Sequence, residues 1–393
     1  MPGARLHRPA VALLVETSNA YARGILLGIV SYIRAHQPWS IYLPEQGRGD
    51  TSADWLLRWR GDGLIARIEN VRIAAIVART GLPVVDVSAG RFLPQAPCVE
   101  TDNLAIARAA VDHLMERGFR HLAFCGEPVF AWSNQRQKYF QQIAAQRGLR
   151  CFVFTPSSGR SRKKVLLARQ QRELAEWVRS LPKPAGVFAC YDIKAQQLLE
   201  VCRTLDLAVP EELAVLGVDN DELLCNLATP PLSSVILNSQ RTGYEAAALL
   251  DRILAGQKVP SEVRSIAPLG IQTRQSTDTL AIDNREVATA VRFIREHACA
   301  GINVEDVLSA VPLSRRVLES LFRKYLGRTP HEEIVRLKVE RVKMLLAETD
   351  LSMAEIARCA GFLHVEYLSA AFKRTVGVAP SQYRRQSQGG GRP

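Results

Sequence analysis

The chain has 393 residues, 47% hydrophobic and 23% charged, with a formal net charge of +12. That is the composition of an ordinary globular protein, long enough for two or three cores, since single cores stop growing near about 250–300 residues. No apolar run reaches the roughly 18 residues of a membrane span, and MPGARLHRPAVALLVETSNAY lacks the long apolar stretch and small-residue cleavage site of an export signal, so a cytoplasmic protein is expected.

From Ala10 to about Leu269, short apolar runs alternate with longer helical patterns. VALLV, GLIA, VVDV, LAFC, CFVF, GVFAC, AVLGV and SSVIL are mostly continuous, as strands buried on both faces are. Between them, NLAIARAAVDHLMERG and KAQQLLEVCRTLD repeat apolar residues every three or four positions. Alternation of this kind predicts parallel sheets flanked by helices, and about 260 residues suit two such lobes. Ligands bind such sheets beyond the carboxyl ends of the strands. The candidates there are Glu16, Ser18 and Asn19 after VALLV, Asp86 and Ser88 in VVDVS, Tyr191 and Asp192 after GVFAC, and Asp219 with Asn220 after AVLGV. Arg136, in SNQRQKYF, is placed to reach the same cleft. Carboxylates and amides so placed suit the hydroxyls of a sugar, but an Asp or Asn after a strand also serves to cap the next helix. Both readings stand at each position.

ETDNLAIARAAVDHLMERGFRHLAFCG, GVFACYDIKAQQLLEVCRTLDLAVPEELAVLGVDND and PPLSSVILNSQRTGYEAAALLDRILAG together resemble the effector domain of LacI/GalR repressors, and also periplasmic sugar-binding proteins. The resemblance covers nearly all of residues 10–270. It implies two Rossmann-like lobes joined by crossing strands and closing on a small ligand, usually a sugar. Tyr191 stands where that family often carries Asn, either as a stacking face for a pyranose ring or as packing. TRQSTDTLAIDN then breaks the pattern, which sets a sensor domain at 1–271 and a linker at 272–286.

Residues 287–393 hold 17 Lys and Arg against 11 Asp and Glu, a denser basic surplus than the rest of the chain, which favours a polyanion partner. Within this part a pattern repeats at an offset of fifty: Ala310 falls on Ala360, Leu318 on Leu368, Phe322 on Phe372, Gly327 on Gly377 and Pro330 on Pro380. Each copy reads as a short helix (VEDVLSAV, MAEIARCA), a tight turn and a second helix, the layout of a helix-turn-helix. Val317, Leu318, Leu321 and Phe322 are expected to seat the second helix of the first copy, leaving Arg315, Arg316, Glu319, Ser320 and Arg323 outward. Leu368, Ala371 and Phe372 seat that of the second, leaving His364, Val365, Glu366, Ser369, Ala370 and Lys373 outward. Arg pairs with guanine edges and Glu accepts from cytosine, so double-stranded DNA is the expected partner. Lys324, Arg328, Arg374, Arg384 and Arg385, with Arg323 and Lys373, are placed for phosphates. Between the copies TPHEEIVRLKVERVKMLLAET reads as one helix of about 19 residues, ~28 Å at 1.5 Å per residue; successive major-groove faces lie about 34 Å apart.

The text RVKMLLAETDLSMAEIARCAGFLHVEYLSAAFKRTVGVAPSQYRR resembles the AraC/XylS family of transcription regulators nearly throughout. Pro312 stands in the first copy where the second has Gly-Phe. Taken together, the chain reads as an α/β two-lobed, periplasmic-binding-protein-like (Rossmann-like) sensor followed by an all-α domain with two helix-turn-helix motifs at 287–386 and a flexible tail at 387–393. The combined resemblance implies a sugar-responsive, dimeric transcription regulator, an activator of pentose-utilisation genes with D-xylose as the effector and RNA polymerase as a further partner. A transport-related sugar-binding protein and a repressor answering another monosaccharide are the alternatives. Neither an enzyme nor a cofactor is expected: G-x-G-x-x-G, G-x-x-x-x-G-K-[ST], a nucleophile elbow and H-E-x-x-H are all missing. The eight cysteines have no CxxC or zinc spacing and read as buried, reduced thiols; His113 and His121 read as packing or surface.

Overall fold

The computed structural model describes residues 8–45, 47, 53–156, 163–278, 284–349 and 351–389. They form two compact units, one of residues up to 206 together with 214–278, the other of 207–213 together with residues from 279 onward.

The first unit contains two six-stranded sheets. One is made by β1 (Ala10–Leu14), β2 (Ser40–Tyr42), β3 (Gly63–Ala66), β4 (Val84–Asp86), β5 (Cys98–Thr101) and β11 (Val263–Ile266), all parallel in the order β11-β5-β4-β3-β1-β2. The other is made by β6 (His121–Cys125), β7 (Cys151–Phe154), β8 (Ala185–Ala189), β9 (Leu213–Val218), β10 (Ser233–Ile236) and β12 (Gly270–Gln272), in the order β12-β10-β9-β8-β6-β7 with β12 antiparallel to β10. The chain passes between sheets three times, after β5, β10 and β11, which makes two lobes joined by crossing segments. Helices α1 (Ala20–Ala35), α2 (Val71–Thr80) and α8 (Ser239–Leu254) accompany the first sheet; α3 (Asn103–Glu116), α4 (Ala131–Gln146), α5 (Lys163–Ser180), α6 (Asp192–Thr204) and α7 (Glu222–Leu227) accompany the second.

The continuous apolar runs become central strands whose residues are almost wholly buried, as parallel sheets covered on both faces require. Four strands escaped the sequence reading: β2 and β11 are exposed or nearly so, and β5 and β12 mix polar residues into three or four positions. Helix starts follow local chemistry. Asn19, Asn70, Asp102 and Asn238 each accept a backbone N–H from the first turn of the following helix. The run expected as a linker begins inside this unit: Ser276 and Thr277 are fully buried, and the Thr277 hydroxyl is 2.8 Å from Nε2 of His113. Burial, reinforced by the nearby Arg117 charge, pushes the His113 imidazole down to about 3 and keeps it neutral. Residues 279–283 of that run, and those of the expected tail beyond Gly389, lie outside the described residues.

The second unit holds α9 (Arg285–His297), α10 (Val304–Ser309), α11 (Arg315–Leu326), α12 (Pro330–Glu348), α13 (Met353–Cys359), α14 (Val365–Val376) and α15 (Pro380–Gly389). Helix α12 serves two cores. Ile334 and Leu337 pack with α9, α10 and α11, whereas Val335, Val339, Val342 and Leu346 pack with α13 and α14. A helix with apolar residues on two faces holds both neighbours in place, so the two helix-turn-helix elements form one body. Three cysteines depart from expectation: Cys151 and Cys299 are half-buried, and Cys359 is exposed. It lies on the outer face of α13, whose buried residues are Ile356 and Ala357.

Helices α1 and α8 cross at close range. A Cβ on Gly28 would stand 1.9 Å from the Gln240 carbonyl oxygen, and one on Gly243 the same distance from that of Ile25. Backbone meets backbone there, so neither site can give way cheaply. Gly28→Ala and Gly243→Ala are each expected to destabilise by about 1–3 kcal/mol, the usual scale of overpacking, and to melt several degrees below wild type. Wild-type melting in a thermal scan would show that the two helices separate freely.

Candidate functional site

In the first unit, a small cavity of about 30 Å3 opens between the two sheets beyond the carboxyl ends of their strands, lined by Tyr21, Arg67, Val87, Ser88, Ala89, Glu100, Thr101, Trp132, Arg136 and Asp219. Each lobe contributes one guanidinium laid over an aromatic ring. Arg67 sits 5.3 Å from the Tyr21 ring centroid, its Nη1 donating to Glu16 at 2.5 Å and its Nη2 to Glu69. Burial alone would lower the Arg67 pKa, but Glu69 and Glu16 outweigh it and hold the charge firmly on. Opposite, Arg136 lies 5.0 Å from the Trp132 ring, donates Nε to Asn103 Oδ1 at 2.9 Å and Nη1 to the Cys190 carbonyl at 2.6 Å. Trp132 is wedged between Phe130, stacked at 5.0 Å, and Tyr191, edge-on at 5.7 Å.

Two carboxylates complete the lining. Glu100, on β5, keeps one buried oxygen without a hydrogen-bond partner, and burial pushes its carboxyl up to about 7, with Asp102 adding to the shift and Arg91 opposing it. Asp219 follows β9 with φ 107°, a left-handed backbone that costs a non-glycine residue free energy and persists only where surroundings impose it. Asp192 imposes it. Its buried carboxylate accepts from Ser234 Oγ at 2.6 Å and the Asp221 N–H at 2.8 Å, which pins the turn after β9. A Cβ on Gly217 would stand 2.3 Å from Asp192 Oδ1, so only glycine admits that approach. Burial, then the Asp219 charge, pushes Asp192 up to about 8.

The lobes touch across this opening. Gln135 of α4 donates to the Ala89 carbonyl at 2.9 Å, and Arg23 of α1 reaches Asp221 at 3.6 Å on the rim. The ligand-facing arrangement is therefore two π-stacked cations and two carboxylates in a partly closed, polar cleft, groups able to donate to and accept from several hydroxyls at once.

Of the ten residues expected from sequence to face the ligand, Ser88, Arg136 and Asp219 line the cavity. The other seven stand outside the lining, each for a physical reason. Glu16 stands one step back, neutralising Arg67. Asn19 caps α1, and Ser18 is exposed beside it without lining the cavity. Asp86 is fully buried and spends Oδ1 on the backbone and hydroxyl of Ser88, which places Ser88 in the lining; burial pushes its carboxyl up to about 7. Tyr191 packs on Trp132, Asp192 holds the β9 turn, and Asn220 accepts from Arg274 at 2.9 Å. Tyr21, Arg67, Glu100, Thr101 and Trp132 were missed. Arg67 directly follows GLIA, so the rule that found Asp219 extends to it; Glu100 lies on a strand too polar to recognise, and Tyr21 and Trp132 come from helix starts.

In the second unit, α11 buries Leu318 and Phe322 and leaves Arg315, Arg316, Ser320, Arg323 and Lys324 exposed, with Glu319 half-buried. Val317 is 44% exposed, so it belongs to the outward face and not, as expected, to the seat. Arg315 is bound to Glu305 at 2.7 Å and Glu319 at 3.2 Å. On α14, Leu368, Ala371 and Phe372 are buried while His364, Glu366, Ala370, Lys373 and Arg374 are exposed. Val365 is half-buried against the second core, and Arg384 donates to the Leu351 carbonyl at 2.5 Å, so both act first within the fold. The second turn needs Gly361: its φ is 72°, and a Cβ would meet the Cys299 carbonyl at 2.7 Å. The first turn is built differently, with Leu313 N–H closing on Val311 around Pro312.

Comparison with known proteins agrees with both halves. Residues 10–104 match a XylR N-terminal domain, 111–277 a periplasmic binding protein-like domain and 308–386 a helix-turn-helix domain. The chain is 34% identical over 387 residues to the xylose operon regulatory protein of Escherichia coli K12, covering 96% of this chain and 97% of that one. It is 32% identical over 382 residues to that of Haemophilus influenzae Rd, covering 95% and 97%. A solved structure of the xylose-binding transcription activator xylR superposes with a TM-score of 0.83 at 32% identity, over 98% of this chain and 99% of that one. The chain belongs to the family of the xylose operon regulatory proteins, sugar-responsive transcription regulators that join a periplasmic-binding-protein-like sensor to paired helix-turn-helix elements.

Proposed function

We propose that this chain activates pentose-utilisation genes in response to D-xylose, which enters the cavity between the lobes. The observation that carries the reading is the lining itself: two cations held over aromatic rings, with Glu100 and Asp219 as acceptors and Ser88 and Thr101 as hydroxyls. The names of its relatives, one of them a xylose-binding activator, support the choice of sugar and the direction of regulation. Tyr21, Arg67, Ser88, Glu100, Thr101, Trp132, Arg136 and Asp219 make up the proposed ligand set, with Glu16, Asp86, Asp192 and Asn220 positioning it.

On the DNA side, Arg316, Ser320, His364, Glu366 and Ala370 read base edges, while Arg323, Lys324, Lys373 and Arg374 meet phosphates. The functional division is a sensor extending to residue 278 and a DNA-binding domain at 284–386, in a cytoplasmic homodimer that contacts RNA polymerase. Among the described residues no helix is long and apolar enough to cross a membrane. D-Xylose acts by binding one arrangement of the sensor better than another, which shifts the population competent to hold paired sites.

In a thermal-shift screen of pentoses and hexoses on the full chain, D-xylose is expected to raise the melting temperature more than any hexose; no shift with any sugar would sink the effector reading. The Glu100 carboxyl titrates near pH 7, and only its ionised form accepts two hydroxyls. D-Xylose affinity, followed by calorimetry, should therefore rise severalfold from pH 6 to pH 8 in wild type, and Glu100→Gln should flatten the rise. Parallel profiles would remove Glu100 from the ligand set. For DNA, Arg316→Ala should relax sequence preference, with a loss of about 1–3 kcal/mol confined to specific sites. Lys373→Ala should weaken all sequences alike and lower the salt slope by about 1. Equal losses on specific and random DNA for both variants would contradict that division of roles.

A further inference from the structure

Seven residues stand apart in the organisation of the chain. Leu207–Leu213 follows α6 and runs into the first residue of β9, both elements of the second lobe, yet it packs within the second unit. Ala208 is buried in the core that holds Val287, Ala288, Val291 and Ile294 of α9. Glu211 is fully buried, with Oε1 2.7 Å from Nη1 of Arg295, whose side chain is 7% exposed. The same Nη1 donates to the Val209 carbonyl at 3.1 Å, so one arginine grips the segment by charge and by backbone.

Arg295 is not isolated. Glu333, on the first turn of α12, is bound by Arg336 at 2.7 Å and Arg328 at 3.2 Å. Burial would raise the Glu333 carboxyl, but the Arg336 hydrogen bond and the charges of Arg336, Arg328 and Arg295 together hold it below its ordinary value. Burial pushes Glu211 the other way, with Arg295 opposing. A set of charges, buried at Glu211, Arg295 and Glu333, thus runs from Glu211 through α9 to α12, the helix that carries both helix-turn-helix cores.

The far ends of the flanking elements lie in the cleft. α6 begins with Asp192 and β9 ends just before Asp219, and the two ends are tied by the Asp221 N–H to Asp192 bond at 2.8 Å. Thirteen helical residues at 1.5 Å and six strand residues at 3.3 Å each span about 20 Å. α6 and β9 are two matched rods, tied together at the cavity and joined by Leu207–Leu213 at the other end.

We propose that Leu207–Leu213 is the element through which sugar occupancy reaches the DNA-binding helices, and that the Glu211–Arg295 pair fixes it to them. This rests on the sugar-effector reading above. A buried ion pair contributes little net stability, because desolvation offsets the attraction, but it specifies one arrangement and resists displacement. Movement of Asp219 on closure is carried along β9 and delivered as a pull on α9 and α12. The coupling is a free energy between two sites and is reciprocal: whatever factor sugar applies to DNA affinity, DNA applies to sugar affinity.

The test uses the full chain and a DNA site selected from random sequence by the wild-type protein. Affinity for that site is measured by fluorescence anisotropy with and without saturating D-xylose, and D-xylose affinity by calorimetry. Wild type should show a coupling factor of about 5–150. Glu211→Gln should bring it to within twofold of 1 while D-xylose affinity without DNA stays within threefold of wild type. Because Glu211→Gln leaves Arg295 uncompensated, Glu211→Gln/Arg295→Met is measured beside it; it retains neither charge and decides the matter if the single variant fails to fold. Wild-type coupling in the folded variants overturns the proposal. A wild-type chain whose DNA affinity ignores D-xylose overturns the effector reading first, and this proposal with it.

Discussion

A charge taken out of water must be met by an opposite charge or by hydrogen bonds aimed at it, and the sensor cleft is organised around that constraint. Arg67 is buried where Glu16 and Glu69 face it, and Arg136 where Asn103 and the Cys190 carbonyl receive it. Each guanidinium lies on an aromatic ring from its own lobe, so each half of the site is organised before a ligand arrives. A site assembled in advance loses less free energy to ordering its side chains on binding. The unpartnered oxygen of Glu100 is the complementary feature, an acceptor held ready in the lining.

The same constraint explains the second unit. Its reading helices are exposed and short, so their geometry comes from beneath: from α12, which packs one face on each helix-turn-helix core, and from Glu333, which gathers Arg328 and Arg336 at the start of that helix. Major-groove recognition needs several side chains placed together to fractions of an ångström, and a connector shared by both cores supplies that placement.

The two halves were unequally legible in the sequence. Duplication wrote the pattern of the second helix twice, and since helical periodicity alone separates the buried Leu368 and Phe372 from the exposed Glu366 and Lys373, the outward face of that helix was readable. Val317 misled because it is apolar, although its helical position faces outward. The sensor's fold was readable from its continuous strands, but its cavity was only partly so. The rule that ligands gather beyond strand ends located Ser88 and Asp219 in the cavity lining, yet it could not tell a group that lines the cavity from one consumed by the loop that presents it. Asn19 caps a helix, Asp86 sets Ser88, and Asp192 sets the turn at Asp219. Distinguishing these roles requires knowing where the neighbouring N–H and O–H groups lie, which depends on contacts between Asp192 and Ser234, 42 positions apart, and not on local text.

On the proposed function, a sugar closes the cleft by engaging groups from both lobes and the change passes to the DNA-binding unit. Amide hydrogen exchange on the full chain with and without D-xylose reads both events in one experiment. Slower exchange is expected at the start of α1 and at Asp219–Asp221 when sugar is bound, together with a change at Leu207–Leu213. Exchange that is unaltered at all three segments under saturating D-xylose would contradict the proposed function.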